Sequence, residues 1–440
     1  METEKNIVIL GAGFAGLRVA LDLEHAGVQR EGYHVVLVDH ATHHLYTPLL
    51  YEVASVFLDG IPEKERFCMQ QGVAVDLQGG ALRQRLRHTR VIDGTVAGID
   101  PKQHCALIED HAPIPYEYCV VALGSVVEDF GIPGIREHAY FFKTMHDAMR
   151  IHERIHELVR RKEAGKEVLV SIVIGGGGPA GVELAGELVT FCRRTCKRFQ
   201  LSQVDFTITI VEASNRLLAS LDATLSVWAR ERLERFGVVV HLDTCVKAVK
   251  KGSVVIAPRP LRDGETADNL LCTIAHDKEE KIEADLFVWS GGIRASEVVK
   301  QMPFLHDVKG RIDAEGSLLV QGEERVFVAG DAAALIDPVT SRVVPALAQT
   351  SIHEGSLVAR NIVHAIRNEP YEQYRFPFLA YVVPVAGKYA FAQFGRFHFR
   401  GRIVWFLHRL IDLKYFISIL PFFSALALWW RGWKVYVQND

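Results

Sequence analysis

Cysteine is sparse in this 440-residue chain. Its seven thiols, Cys68, Cys105, Cys119, Cys192, Cys196, Cys245 and Cys272, are odd in number and form no Cys-x-x-Cys. That spacing argues against a metal cluster or a disulfide framework and fits a reducing, cytosolic setting. Long basic runs are missing as well: 50 Lys and Arg stand against 53 Asp and Glu, a formal charge of −3, so nucleic acid is not an expected partner. No apolar stretch precedes the first strand pattern, and no cleaved secretory signal is expected. The paired His43 and His44 lack Cys, Asp or Glu at ligand spacing, so no metal is expected either.

What the chain does contain is a duplicated glycine turn. Residues 172–188 read IVIGGGGPAGVELAGEL, an apolar strand that breaks at Gly176-Gly177-Gly178-Pro179-Ala180-Gly181 and continues as an amphipathic helix. Gly176 permits the tight turn, Gly178 lets backbone N–H groups approach a pyrophosphate, and Gly181 lets the helix lie close on the strand. An earlier copy runs Ile7-Val8-Ile9-Leu10-Gly11-Ala12-Gly13-Phe14-Ala15-Gly16. Two such turns imply two dinucleotides, and the simplest chemistry that joins them is hydride transfer. Each turn is followed by an acid at the end of the next apolar strand, Asp39 after Val35–Val38 and Glu212 after Phe206–Val211. Such a carboxylate holds a ribose 2′-hydroxyl and repels a 2′-phosphate, which favours NADH over NADPH in the second turn, with Arg216 close by in sequence.

The two halves also close alike. Tyr118 to Ser125 and Ala284 to Gly292 are apolar strands ending in small residues, the first including Ala122 and Gly124 and the second Gly291. Val91 to Ile108 reads as a small antiparallel layer, His146 to Arg161 as a helix, and Val254 to Asp277 as a polar hairpin loop. Arg325 to Ala333 reads as a further strand that runs through Gly330-Asp331 into a helix start.

Near the C-terminus, Ile403, Phe406, Leu407, Leu410 and Ile411 share one helical face, with Arg402, Arg409 and Asp412 on another. The uncharged run Tyr415–Trp430 is shorter than the roughly 20 residues of a typical span, and Pro421 interrupts it. The segment therefore reads as monotopic, lying in the lipid interface. Trp405, Trp429, Trp430 and Trp433, with Arg431 and Lys434, would form a headgroup boundary. A second copy of the chain is the alternative cover for this apolar tail, which gives a homodimer. If the segment is only an anchor, deleting residues after Phe399 should release a folded flavoprotein.

These motifs, in this order, resemble the two-dinucleotide-binding-domain flavoproteins over nearly the whole chain. The chain is most similar to the type II NADH dehydrogenases, single-subunit NADH:quinone oxidoreductases that pump no protons. The narrower resemblance rests on His44-Leu45-Tyr46-Thr47-Pro48-Leu49-Leu50, Ala348-Gln349, Gly387-Lys388 and the aromatic C-terminal segment. It implies an α/β fold of two Rossmann-like, glutathione-reductase-like domains with C-terminal amphipathic membrane-associating helices. The implied division is an FAD domain in two parts, 1–135 and 295–390, an NADH domain at 136–294 and an anchoring segment at 391–440.

The resemblance implies that FAD is held by Gly11, Gly13, Phe14, Ala15, Gly16, Asp39, Ala122, Gly124, Gly330 and Asp331. NADH is then held by Gly176, Gly178, Pro179, Gly181, Glu212 and Gly291. By the same resemblance Glu183 and Lys388 flank the flavin, and Ala348, Gln349, Ser351 and Glu354 belong to the quinone motif. Ser351 and Glu354 depart from the Ala and Gln usual at those two places. The redox cysteine pair that disulfide reductases carry after the first ribose acid is missing between Asp39 and Glu65, which excludes a thiol relay. The implied enzyme passes electrons from NADH through FAD to a membrane quinone from the cytoplasmic face of the cell membrane. A soluble NADH-dependent reductase of another acceptor and a slow redox-sensing flavoprotein are the rival readings.

Overall fold

The computed structural model describes residues 5–55, 72–164, 169–200, 205–259, 278–337, 339, 341–376 and 380–436. Strand β1 (Lys5–Leu10) is apolar from Ile7 to Leu10, and those four side chains are fully buried. It turns at Gly11 into helix α1 (Phe14–Ala26), which stops at Gly27 in the left-handed conformation before strand β2 (Tyr33–Asp39). A short helix α2 (Leu50–Ser55) is wholly buried. Strands β3 (Arg90–Asp93) and β4 (Tyr118–Val121) complete the local part of the first sheet.

The second unit begins with helix α3 (Met145–Glu163), whose Thr144 and Asp147 form a capping box. Strand β5 (Val170–Gly175), helix α4 (Pro179–Phe199), strands β6 (Phe206–Val211) and β7 (Val238–His241), and strand β8 (Leu286–Trp289) follow. Strand β9 (Val326–Val328) then returns to the first sheet, whose order is β9-β4-β1-β2-β3, every pair parallel. The second sheet runs Tyr140–Phe141, β8, β5, β6, β7, also parallel throughout. Buried on both faces, such strands must be apolar, which is why they read as continuous runs rather than alternations. The chain is thus α/β, with two doubly wound units.

Three local expectations change. Arg90–Asp93 pairs in parallel with β2 as the edge of the first sheet, and the antiparallel layer is confined to Val96–Asp100, Cys105–Ile108 and Ile114–Pro115. Ser253–Pro258 is a strand between Thr244–Lys250 and Glu280–Glu283, while the remainder of the expected hairpin loop lies outside the described residues. After β9, Gly330 has φ +72°, and Gly330–Ala332 makes only a 3-10 turn before strand Ala333–Leu335; the helix, α5 (Ala348–Arg367), begins later. Among the described cysteines, Cys105, Cys119, Cys192 and Cys196 are free, but Cys245 is disulfide-bonded, which corrects the expectation of a chain without disulfides.

The C-terminal module is an antiparallel sheet of β10 (Ala380–Pro384), β11 (Ala390–Phe394) and β12 (Phe397–Gly401), followed by helices α6 (Arg402–Ile419) and α7 (Phe422–Tyr436). Pro421 stands at the break between the two helices. No helix among the described residues is long and apolar enough to cross a membrane.

The orientation of α6 inverts the usual amphipathic arrangement. Ile403, Phe406, Leu407, Leu410 and Ile411 are exposed, whereas Arg409 and Asp412 are buried together with Tyr415, Phe416 and Ile419. The expected apolar face exists, but of the charged residues assigned opposite it Arg409 and Asp412 enter the protein interior instead of water, and only Arg402 stays exposed. Trp405 is likewise corrected: it is 6% exposed and packs with Val404, Ala390 and Ala392, so it belongs to the module's core and not to an outer boundary. Trp430, 51% exposed, remains outside.

Candidate functional site

The first turn is shaped by what surrounds its glycines. Gly11 has φ +103°, and a Cβ there would strike the carbonyl of Ala122; one at Gly16 would strike the carbonyl of Gly11. Gly13 differs, because a Cβ on it would meet nothing within 4 Å. The open space is on the outside of the turn, where a pyrophosphate would approach the N-terminus of α1. The second turn repeats this: Gly176 has φ +109° against Ser290, Gly181 lies against the Gly176 carbonyl, and Gly178 faces open space before Pro179 opens α4. Gly291 is half-buried beside the Trp289 ring.

The two strand-end acids act alike. Asp39 accepts from the Ala12 N–H at 2.5 Å and the Ala41 N–H at 2.8 Å. Glu212 accepts from the Gly177 N–H and from the Ser214 N–H at 2.7 Å. Each carboxylate therefore latches its own glycine turn as well as standing where a ribose would lie. Arg216 is committed elsewhere, donating to the carbonyls of Ala219 and Leu221 and to Ser226 Oγ.

At the carboxyl ends of β4 and β9 a polar cluster forms around Asp331. Ser125 Oγ donates to Asp331 Oδ2 at 2.6 Å, and Lys143 Nζ lies 2.7 Å from Ser125 Oγ and 3.3 Å from Asp331. Gly330 N–H donates to Glu354 Oε2 at 2.6 Å. Burial pushes the Glu354 carboxyl up to about 8 against the lowering effect of that N–H, with Asp331 adding to the rise. Ser351 and Glu354 occupy the buried face of α5 beside Gly330 and Asp331, with Ala348 half-buried and Gln349 exposed on the first turn. The four motif residues therefore do not converge: two sit with Asp331, and Gln349 points away from it.

A second polar chain runs from the first turn into α6. His44 Nδ1 donates to the Ala12 carbonyl at 2.8 Å, and this bond fixes Nε2 as the acceptor from Tyr415 Oη at 2.5 Å. Burial depresses the His44 pKa to about 4, so the ring is neutral. Tyr46 Oη donates to Asp412 Oδ1 at 2.9 Å, Arg409 pairs with Glu52, and Arg409 lies 3.6 Å from Asp412. The ring of Phe14, first residue of α1, packs edge-on against His44 at 5.2 Å and lies 5.4 Å from Tyr415, which stacks on Tyr46 at 4.8 Å. Glycine turn and C-terminal helix are thus one packed assembly.

Glu183, on the first turn of α4, is half-buried in surroundings that include Tyr51 and Asp412. Desolvation, reinforced by the charge of Asp412, holds its carboxyl well above the usual carboxylate range. The Tyr51 hydroxyl beside it is buried with no hydrogen-bond partner among the described residues. Lys388 is half-buried in the Ala386–Lys388 turn between β10 and β11, where β10 packs against α4.

The residues present fit two dinucleotides: two cradles, each with one glycine, Gly13 or Gly178, whose Cβ position is open, two latched acids and two helix N-termini. Sequence reasoning missed Lys143, Tyr51, Glu52 and Tyr415 as site residues, and it placed Arg409 and Asp412 on the outside. Lys143 and Asp331 are 188 positions apart, so no local spacing could join them. The one available signal was Asp412, the sole acid in the segment 395–434.

Residues 5–355 match the family described as pyridine nucleotide-disulphide oxidoreductase. Among curated relatives, a Mycobacterium tuberculosis protein named type II NADH:quinone oxidoreductase Ndh is 28% identical over 96% of this chain and 87% of its own length. A Haemophilus influenzae protein named type II NADH:quinone oxidoreductase is 27% identical, covering 84% of this chain and 83% of its own. Among solved structures, NDH2 from Plasmodium falciparum in complex with NADH superposes with a TM-score of 0.81 over 99% of both chains at 15% identity. The sulfide:quinone oxidoreductase of Aquifex aeolicus superposes at 0.74, covering 94% of this chain and 91% of that one at 18% identity.

Proposed function

Since the chain belongs to the pyridine nucleotide-disulphide oxidoreductase family, we propose that it is a type II NADH:quinone oxidoreductase, passing electrons from NADH through FAD to a quinone without pumping protons. The observation that carries this reading is the duplicated latch: two glycine turns, each closed by its own strand-end acid, in one chain. FAD, when bound, accepts a hydride and releases two electrons, chemistry that no side chain here supplies.

The chain's own residues bind, orient and hold protons. Gly11 to Gly16 and Asp39 would hold the FAD pyrophosphate and ribose, with Ala122, Gly124, Gly330 and Asp331 along its length. Gly176 to Gly181, Glu212 and Gly291 would hold NADH. Ser125 and Lys143 orient the Asp331 carboxylate. Glu183, whose hold on a proton is strengthened by burial and by Asp412, is placed to retain one at its carboxyl where quinone reduction would need it. Lys388 offers a cation to the other flank, suited to negative charge gained on reduction. Of the quinone motif Ala348, Gln349, Ser351 and Glu354, the exposed Gln349 is the member open to an acceptor arriving from outside, while Ser351 and Glu354 stay with Asp331.

The outward apolar face of α6 supports docking on a lipid surface, where a long-tailed quinone dissolves. The test is steady-state NADH oxidation with a short-chain quinone, compared with ferricyanide and with oxygen. Saturable quinone reduction that Gln349→Ala weakens while ferricyanide reduction continues is expected. Oxidation of NADH by ferricyanide alone would exclude the quinone assignment.

A further inference from the structure

The apolar face of the C-terminal module is continuous over three elements. Phe397 and Phe399 on β12, Ile403 (78% exposed), Phe406 and Leu410 on α6, and Phe423 (82% exposed) on α7 all lie open to solvent. β12 packs against α6, and α6 against α7, so the three elements that carry these exposed side chains are packed neighbours.

The charge around this face is of one sign. Residues 395–434 contain seven Lys and Arg against a single acid, in a chain whose total formal charge is −3. That acid, Asp412, is 1% exposed and spent on Tyr46 and Arg409, so it contributes no negative surface. Arg396, Arg402, Lys414 and Arg431 are exposed. Arg402 opens α6, and Lys414 lies within its apolar arc at the i+4 position from Leu410, where a long stem can lie on an apolar surface and carry its ammonium to the boundary. At the far end of α6 the cationic border continues from a different part of the chain: exposed Arg85 approaches the Ser418 carbonyl at 3.5 Å, within the stretch 77–92 that has four arginines and no acid.

We propose that this face binds anionic phospholipid, its apolar residues entering the acyl region while Arg85, Arg402, Lys414 and Arg431 meet phosphodiester oxygens at the headgroup level. The inference rests on the lipid-docking reading above and adds the headgroup chemistry. Apolar burial alone would hold the enzyme equally on neutral and anionic bilayers. A cation near an anionic surface strengthens binding about fivefold, so several acting together make the preference large and salt-dependent.

The test is cosedimentation of the flavin-loaded full-length enzyme with vesicles of phosphatidylcholine alone or mixed with phosphatidylglycerol. At low salt the mixed vesicles should bind at least about tenfold more tightly, and the difference should shrink in high salt. Arg85→Gln/Arg402→Gln/Arg431→Gln should lose the preference, whereas the corresponding Lys substitutions keep it, with NADH:ferricyanide activity unchanged in both. Equal binding to the two vesicles would overturn the headgroup inference and leave lipid docking standing. A flavin-loaded enzyme that binds neither vesicle, or one that ultracentrifugation shows as a dimer unable to bind them, would overturn both.

Discussion

A single residue, Gly13, separates space kept for the fold from space kept for a ligand. Its φ of −67° suits any residue, and nothing lies within 4 Å of where its Cβ would be. Gly13→Val should therefore fold with little change in thermal stability yet purify with most of its flavin absorbance lost; a fully flavinated variant would refute the assignment of the first turn. Gly11 and Gly16 are different, since their Cβ atoms would strike backbone and the same substitution there should impair folding itself.

Glu354 makes a second prediction, on pH. Its folded pKa of about 8 lies above the ordinary 4.5, so the folded state binds this proton more tightly than the unfolded one. The resulting stability is complete below pH 4.5 and is lost as pH rises through about 8, with a limiting slope of about 1.4 kcal/mol per pH unit. The midpoint of urea unfolding should fall between pH 5 and 8, and Glu354→Gln should flatten that dependence. The glycines and strand-end acids were legible in the sequence because a turn and its acid belong to one local unit. Glu354 was named through its motif, but its raised carboxyl was not legible, because its surroundings are set by Gly330, 24 residues earlier and on another element.

At the scale of the element, α6 shows what periodicity can and cannot determine. The spacing assigns Ile403, Phe406, Leu407, Leu410 and Ile411 to one face, as found. It does not determine which face turns inward, because the opposite face carries Tyr415, Phe416 and Ile419 as well as charge. Arg409 can be buried only because Glu52 and Asp412 neutralise it, and Glu52 belongs to α2, far away in sequence. This changes the expected result of truncation. Cutting after Phe399 would strip Tyr415 and Phe416 from Phe14 and Tyr46, so the remaining chain should unfold or shed flavin.

The informative variant is Phe406→Ser/Leu410→Ser on the outward face, which should leave ferricyanide activity intact and move the protein to the soluble fraction. Arg409→Ala should act oppositely, destabilising by about 3 to 5 kcal/mol in denaturant melts because Glu52 is left buried without its cation. Arg409→Leu combined with Glu52→Leu should recover much of that loss.

Across the whole molecule, the duplication is visible in sequence and the way the halves interlock is not. β9 returns to β4 after the entire second unit has intervened, which brings Asp331 to Ser125 and Lys143. Pattern alone indicates a third apolar strand there. Only the sheet pairing shows that the cluster is built from three distant stretches, each unremarkable in its own neighbourhood.

The hydrogen bond from Tyr415 to His44, and from His44 to the Ala12 carbonyl, has a thermodynamic corollary. The helix proposed to meet the bilayer is bonded to the loop that would clasp the cofactor, so ordering either one lowers the cost of ordering the other. Coupling of this kind is reciprocal: if vesicles lower the flavin dissociation constant by some factor, flavin must strengthen vesicle binding by the same factor. Flavin release, followed by fluorescence with and without vesicles, should be several-fold slower on the bilayer, and Tyr415→Phe should narrow that gap. An enzyme so built would be self-limiting. Away from a bilayer it would gradually discard the group that makes it reactive, and so would be kept from spending NADH on oxygen where no quinone is at hand.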